Sequence, residues 1–269
     1  MEYLYITNDP KIAKICEEND VIPWIDLETL GKEERQKGMD TVKSKHSIED
    51  IVKIKKVISK VPILVRINPL NSESKTEIDR VITAGADIIM LPMFKNAVDV
   101  KKFVELVDNR VKIMLLLETK EAVEDIDNIL KIPEVNMIHI GLNDLHLSYG
   151  LNFMFELLEN GIVDKLCSKF QEYNIQYGIG GIAKLGFGKI PSEFIINQYY
   201  ILGCSRVILS RSFCNYKKYS NYTEFEKSFK DELTKIKYFT KAIKSCSELY
   251  RDNTSKKLKK VLKRCNYNE

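Results

Sequence analysis

Eight short apolar runs, spaced along the chain and separated by longer amphipathic stretches, limit the possible folds more than any other feature of this sequence. They are YLYIT (3–7), VIPWIDL (21–27), VPILVRI (61–67), DIIML (87–91), VKIMLLL (111–117), VNMIHI (135–140), NIQYGI (174–179) and SRVILS (205–210). Runs of this length, rich in β-branched residues and apolar almost throughout, suit strands covered on both faces. The segments between them carry apolar residues at three- and four-residue spacing, as a helix with one buried face requires. Ile48, Ile51, Val52, Ile54, Lys55 and Ile58 trace one such stripe, and AVDVKKFVELV (97–107) and EAVEDIDNIL (121–130) form two more. Strand and helix in alternation predict a parallel sheet with right-handed crossovers. Eight strands predict closure into a (β/α)8 barrel. An open doubly wound sheet is the rival, but no GxGxxG follows the first strand, and Gly178-Ile-Gly180-Gly181-Ile-Ala183 has a different spacing and position.

The chain of 269 residues is long enough for one such barrel with an addition at its end. The expected division is a barrel over 1–220 and a helical extension over 221–269. Helical patterns run over roughly 222–249 and 253–264. The ending SKKLKKVLKRC reads as a solvated helix face or as a helix at a subunit interface, and a homo-oligomer is expected. Net charge is only +4, from 42 basic and 38 acidic residues, so no nucleic-acid or membrane partner is expected. Six scattered cysteines with no CxxC pair fit free thiols in a reducing compartment. The first residues lack a basic segment followed by an apolar run, and no apolar stretch could cross a membrane. A cytoplasmic location is therefore expected.

In a (β/α)8 barrel the reacting groups project from the C-terminal ends of the strands. Glu118 and Asp144 stand at the ends of the fifth and sixth runs. Neighbouring strands lie about 4.8 Å apart, so both carboxylates could reach one cation. Two hard oxygen donors with open positions suit Mg2+ or Mn2+. Either acid could instead pair with Arg66 or favour a helix start. Arg66, at the end of a buried strand, offers a planar fork to a substrate carboxylate or carbonyl oxygen. Its alternative is a standing ion pair with Glu28 or Glu118.

With these positions in view, the chain resembles the HpcH/HpaI aldolase/citrate lyase family. The resemblance rests on IDLET (25–29), VRINP (65–69), GADIIMLPMFKNAVDV (85–100), LLLETKEAV (115–123) and IGLNDLHLSYG (140–150), in order on successive strands. It implies Glu118 and Asp144 as metal ligands and Arg66 as the contact to substrate oxygens. It also implies a 2-oxo acid or acyl thioester substrate and carbon–carbon bond cleavage or formation through an enolate. Backbone N–H groups near Pro92 and Met93, or near Asn143, are expected to hold a substrate carboxylate oxygen. One departure stands out. The pyruvate-aldolase branch has Glu-His at the end of strand 2, whereas this chain has Glu28-Thr29. His146, two residues past Asp144, or a metal-bound water is then the candidate for proton transfer, with Glu28 and Arg66 completing the catalytic set. His46, before a helix, and His139, inside a strand, have less claim.

The stretch GIGGIAKLGFGKIP has no close counterpart in that family. Barrels often bind phosphate in the loops after strands 7 and 8, through glycine N–H groups. Here those loops are expected to supply Gly178, Gly180, Gly181, Lys184, Ser210, Arg211 and Ser212, either as an anion site or as a tight turn. The expected activity is a metal-dependent carbon–carbon lyase. A phosphoenolpyruvate- or pyruvate-using transferase, or a non-catalytic metabolite-binding relative, is the alternative. Specificity is expected to come from loop shape, chiefly over 28–47.

Overall fold

The computed structural model describes residues 1–31 and 45–265. Most of the 28–47 stretch expected to govern specificity lies outside the described residues. The first part of the chain runs β1 (Glu2–Ile6), α1 (Pro10–Glu18), β2 (Val21–Asp26), α2 (Ile48–Lys55), β3 (Leu64–Arg66), α3 (Ser74–Ala84), β4 (Ile88–Leu91), α4 (Ala97–Val107) and β5 (Lys112–Leu117). It continues with α5 (Lys120–Glu124), α6 (Ile126–Ile129), β6 (Met137–Ile140), α7 (Leu142–Ser148), a 3-10 turn (Met154–Leu158), α8 (Ile162–Glu172), β7 (Gln176–Ile182), α9 (Ser192–Ile201) and β8 (Arg206–Leu209). A second 3-10 turn (Tyr216–Lys218), α10 (Tyr222–Ser245) and α11 (Glu248–Cys265) complete it. The strands join in sequence order, β1 to β8, as a closed barrel of the TIM type. Among the described residues no helix is long and apolar enough to cross a membrane.

Each predicted run overlaps one strand, and the differences have local causes. The stripe over 121–130 reads as one helix but forms two, α5 and α6, meeting at Asp125. The Asp125 carboxylate accepts the Ala97 N–H at 2.7 Å, at the start of α4, and the Asn128 side-chain amide at 2.6 Å. That tie outweighs continuing the helix. β7 runs on to Ile182, three residues past its apolar run, through a register shift between Gly178 and Gly181.

Contacts group the residues into two compact units: Leu4–His139, and Met1–Tyr3 with the chain from Ile140. In the first, parallel registers pair Trp24 with Leu64, Asp26 with Arg66, Arg66 with Met90 and Met90 with Met114. Helix starts are fixed by side chains that satisfy otherwise orphaned N–H groups. Asp9 accepts from Lys11 and Ile12, with Pro10 at the first helical position, and Asn96 accepts from Val98 and Asp99. Ile51, Ile54, Ile78, Val81, Val100 and Phe103 bury the inner faces of α2, α3 and α4. Each such side chain contributes about 1.5–3 kcal/mol by leaving water. Glu17 ties α1 to the approach to β3. Its carboxylate takes the Lys14 ammonium and the Ser59 and Lys60 N–H groups, all at 2.6 Å.

In the second unit Phe213, Phe225 and Phe229 pack around the start of α10, ring centroids about 5.3–5.5 Å apart. α11 lies on α9. Leu258 and Leu262 are fully buried, the Asn197 amide donates to the Arg251 carbonyl at 3.1 Å, and the Ser255 hydroxyl donates to Gln198 at 2.6 Å.

Candidate active site

Arg66 ends β3 opposite Asp26, which ends β2. Its Nε and Nη2 each donate to one Asp26 oxygen at 2.8 Å, and its Nη1 approaches Glu28 at 3.1 Å. The guanidinium lies over the Trp24 ring, 5.2 Å from its centroid. Arg66 is 8% exposed, and Asp26 and Glu28 are 2% exposed each. Burial alone would lower the arginine's pKa, but the negative charges of Asp26 and Glu28, with a smaller effect from Glu118, hold it well above the usual value. The cation is therefore permanent. A guanidinium has five N–H donors. Two donate to Asp26 and Nη1 faces Glu28 as an ion pair, which leaves an N–H on each terminal nitrogen for a substrate oxygen. The ion-pair and substrate-fork readings of Arg66 are thus compatible.

Glu118 follows β5 and is 2% exposed. Its Oε1 accepts the Met93 N–H at 3.1 Å. Met93 achieves this with φ of 54°, in the left-handed region. A non-glycine residue held there costs about 1 kcal/mol or more. The Met93 N–H, expected to receive a substrate carboxylate, thus serves to orient Glu118, and Pro92 before it is buried. Thr119 starts α5, donating its hydroxyl to the Phe94 carbonyl at 2.7 Å, which fixes the turn that carries Glu118.

Asn68, two residues past Arg66, holds the backbone that follows Glu28. Its Oδ1 accepts the Thr29 and Leu30 N–H groups at 2.9 and 3.0 Å, and its amide donates to Glu77 at 2.8 Å. Burial raises the Glu77 pKa against these bonds. The Thr29 hydroxyl, at the position where a catalytic histidine is absent, lies 3.3 Å from the same Asn68 oxygen.

The histidines separate by tautomer. The Asp26 N–H can only donate, so the His46 Nδ1 that receives it at 3.0 Å is unprotonated. In His146 the assignment reverses. Its Nδ1 faces the Leu142 carbonyl at 3.2 Å, which can only accept, so the proton sits on Nδ1 and Nε2 is the basic nitrogen. His146 lies within α7 and is 4% exposed. His139 is fully buried in β6.

Asn143 and Asp144 lie in the first turn of α7, in the second unit. Gly178, Gly180 and Gly181 lie within β7, so the expectation of a loop there is corrected. The strand persists because Ser210 N–H and the Ile182 carbonyl still pair, at 2.9 Å. Gly180 has φ of +43°, and a Cβ there would stand 2.8 Å from both a Leu142 methyl and the Tyr199 hydroxyl. A Cβ on Gly181 would meet the Ile208 carbonyl at 3.2 Å. Both glycines thus admit neighbouring parts of their own unit. Lys184 follows the strand, its ammonium 4.1 Å from the centre of the Phe187 ring, and Arg211 is exposed just after β8.

Asp26, Asn68 and His46 complete the cluster around Arg66; Asp26 lies in IDLET and Asn68 in VRINP, but the resemblance gives neither a role, and His46 lies in no motif. Asp26 could have been found by its parity with Arg66 on adjoining strands. His46 comes from 20 residues further on, and no local signal marks it. Cys16 and Cys167 are free thiols pushed up in pKa by burial, so neither suits a nucleophile. Among the described residues no three His, Cys, Asp or Glu side chains form a ready metal cage.

A family model described as HpcH/HpaI aldolase/citrate lyase matches residues 25–156, a span that includes Asp26, Glu28, Arg66, Glu118, Asp144 and His146. The fold is similar to that of an HpcH/HpaI aldolase from Desulfitobacterium hafniense, at 17% identity and a TM-score of 0.58, covering 78% of this chain and 85% of that one. It is also similar to an HpcH/HpaI aldolase/citrate lyase family protein from Burkholderia cenocepacia, at 14% identity and a TM-score of 0.59, covering 79% and 89%. At these identities the likeness is one of fold. No curated protein matches the chain in sequence.

Proposed function

We propose that this chain, which over residues 25–156 belongs to the HpcH/HpaI aldolase/citrate lyase family, is a divalent-metal-dependent carbon–carbon lyase acting on a 2-oxo acid or a related acyl thioester. The observation that carries the reading is a set of buried carboxylates at the strand ends. Asp26, Glu28 and Glu118 are each 2% exposed, and the charge of each acts on the one guanidinium of Arg66. The donors are hard carboxylate oxygens, which fit Mg2+ or Mn2+.

Glu118 and Asp144 are the proposed ligands, on the strength of their ETK and GLND motifs. When bound, the cation would supply Lewis-acid polarisation of the substrate's keto oxygen. The chain's own residues do the rest. Met93 N–H keeps one Glu118 oxygen engaged and so fixes the carboxylate plane. The two spare N–H groups of Arg66 would hold the oxygen on which negative charge develops as the carbon–carbon bond breaks. Asp26 and Glu28 prevent that guanidinium from turning. Nε2 of His146 would take or return the proton. Lys184 and Arg211 would receive a second anionic group of the substrate.

A non-catalytic metabolite-binding relative is the second reading, favoured by Thr29, whose hydroxyl lies against Asn68 in place of a catalytic histidine. One experiment separates the two. The parent and the Glu118→Ala and Asp144→Ala variants are stripped of metal, given Mg2+ or Mn2+, and presented with oxaloacetate or a 4-hydroxy-2-oxo acid. Metal-dependent pyruvate release by the parent, lost in both variants with the melting transition retained, supports the lyase. Metal-dependent thermal stabilisation by pyruvate with no turnover supports the binding relative. Activity unaffected by chelation overturns the metal assignment.

A further inference from the structure

The near-balanced net charge of +4 conceals a strong segregation. Residues 222–265 carry thirteen Lys and Arg against six Asp and Glu, a formal +7, while the rest carries 29 against 32, a formal −3. Within that segment Asn253 to Cys265 hold six basic residues and no acidic one.

The structure aligns these charges. Leu258 and Leu262 turn the apolar side of α11 onto α9 and are fully buried. On a helix of 3.6 residues per turn, the side opposite carries Leu249, Lys256, Lys260 and Lys263, spaced seven, eleven and fourteen residues from the first. Tyr250 and Lys257 make a second row beside it. All four of these lysines are exposed, and Leu249 and Tyr250 are 68% and 51% exposed. The row from Leu249 to Lys263 is about 21 Å long at 1.5 Å per residue. Lys263 lies 3.6 Å from Glu159, whereas among the described residues no carboxylate pairs with Lys256, Lys257, Lys259 or Lys260.

A second copy of the chain is a poor occupant of this face, because two such faces would repel. Nucleic acid would satisfy the lysines but not cover Leu249 and Tyr250. A surface of acidic headgroups over an apolar layer meets both needs, since lysines reach the phosphates while a Leu and a Tyr enter the boundary. We propose that the outward face of α11 docks the protein peripherally on an anionic lipid bilayer. No spanning helix is required, and the charge of the barrel proper plays no part.

The test uses the full chain in flotation with vesicles of phosphatidylcholine alone or mixed with phosphatidylglycerol, at low and high salt. Binding to the mixed vesicles, weakened by salt and absent with phosphatidylcholine alone, is the expected result. Each lysine near such a surface contributes about fivefold to partitioning, so Lys256→Gln, Lys257→Gln and Lys260→Gln together should lower it about a hundredfold. Leu249→Ser with Tyr250→Ser should lower it about tenfold or more while leaving the salt dependence in place. These side chains face solvent, so circular dichroism and the melting midpoint of both variants should match the parent. Failure to float with the anionic vesicles at low salt, equal binding to phosphatidylcholine alone, or undiminished binding by the triple variant would overturn the proposal. So would displacement from the vesicles by duplex DNA at equal phosphate concentration.

Discussion

Asp26 is the residue whose removal tests the reading of the site most directly. Its two oxygens take the two charge-assisted hydrogen bonds of a guanidinium that is only 8% exposed, and Glu28 adds an ion pair at 3.1 Å. Such bonds contribute about 1.5–3 kcal/mol each, and breaking a buried ion pair by deleting one partner costs about 3–5 kcal/mol. Asp26→Ala should therefore lower unfolding stability by about 3–5 kcal/mol, which for a chain of this size moves the melting midpoint down by about 5–9 °C. Asp26→Asn keeps one acceptor opposite the fork but turns a donor toward the other N–H, so about half that loss is expected. Glu28→Gln removes the charge of a single contact and should cost about 1–2 kcal/mol. Urea unfolding read by Trp24, the only tryptophan, reports all three on the same scale. Trp24 lies beneath the guanidinium, so its emission should also shift in the Asp26 variants. The order Ala, Asn, Gln is the substance of the prediction. A loss under 1 kcal/mol for Asp26→Ala, or a larger loss for Glu28→Gln than for Asp26→Asn, would mean that Arg66 is not held as described.

Three further outcomes follow from other parts of the molecule. The Lys14 ammonium, against the opposing effect of burial and with help from the Lys60 and Ser59 N–H groups, holds the Glu17 carboxyl near 2, below its ordinary 4.5. A lowered carboxyl pKa stabilises the fold above the unfolded value, so the stability gap between the parent and Glu17→Gln should be constant above about pH 5. It should close as pH falls from 4.5 toward 2, as followed by urea titration at each pH; a gap that widens on acidification would contradict the assignment. Gly180→Ala should cost about 1–3 kcal/mol in unfolding stability, because its Cβ would press on Leu142 and Tyr199 from a left-handed backbone; an unchanged melting midpoint would show that β7 can move aside. Lys184→Ala with Arg211→Ala should abolish competition by inorganic phosphate while leaving metal-dependent pyruvate binding intact; a parent protein indifferent to phosphate would remove the anion site.

The architecture was readable because burial on both faces leaves few options for a strand. Once Ile63, Leu64 and Val65, or Met114 to Leu117, must all avoid water, they can only be inner strands of a covered sheet. Periodicity could not reveal where a side chain would interrupt a regular element. Asp125 breaks a continuous helical pattern because the start of α4, nearly thirty residues earlier in sequence, presents an N–H to it. β7 outlasts its apolar run because glycines, which carry no side chain to mark a strand, continue to pair with β8.

The candidate site divides along the same line. Arg66, Glu28 and Glu118 could be found from the sequence because a charged residue at the end of an apolar run is costly unless it has a task. Their geometry could not, since it depends on backbone groups. The Met93 N–H aims Glu118, the Asp26 N–H sets the tautomer of His46, and Asn68 holds Thr29 and Leu30 through one oxygen. Each of these contacts has a backbone N–H on one side, a group that no residue pattern marks. Net charge misleads for a related reason. A sum over 269 residues treats charges as if they were mixed, whereas the fold turns three carboxylates inward around one guanidinium and a row of lysines outward along α11. The same chain therefore gathers carboxylates at its strand ends and lysines on its outer helix, two opposite charge distributions that cancel only in the total.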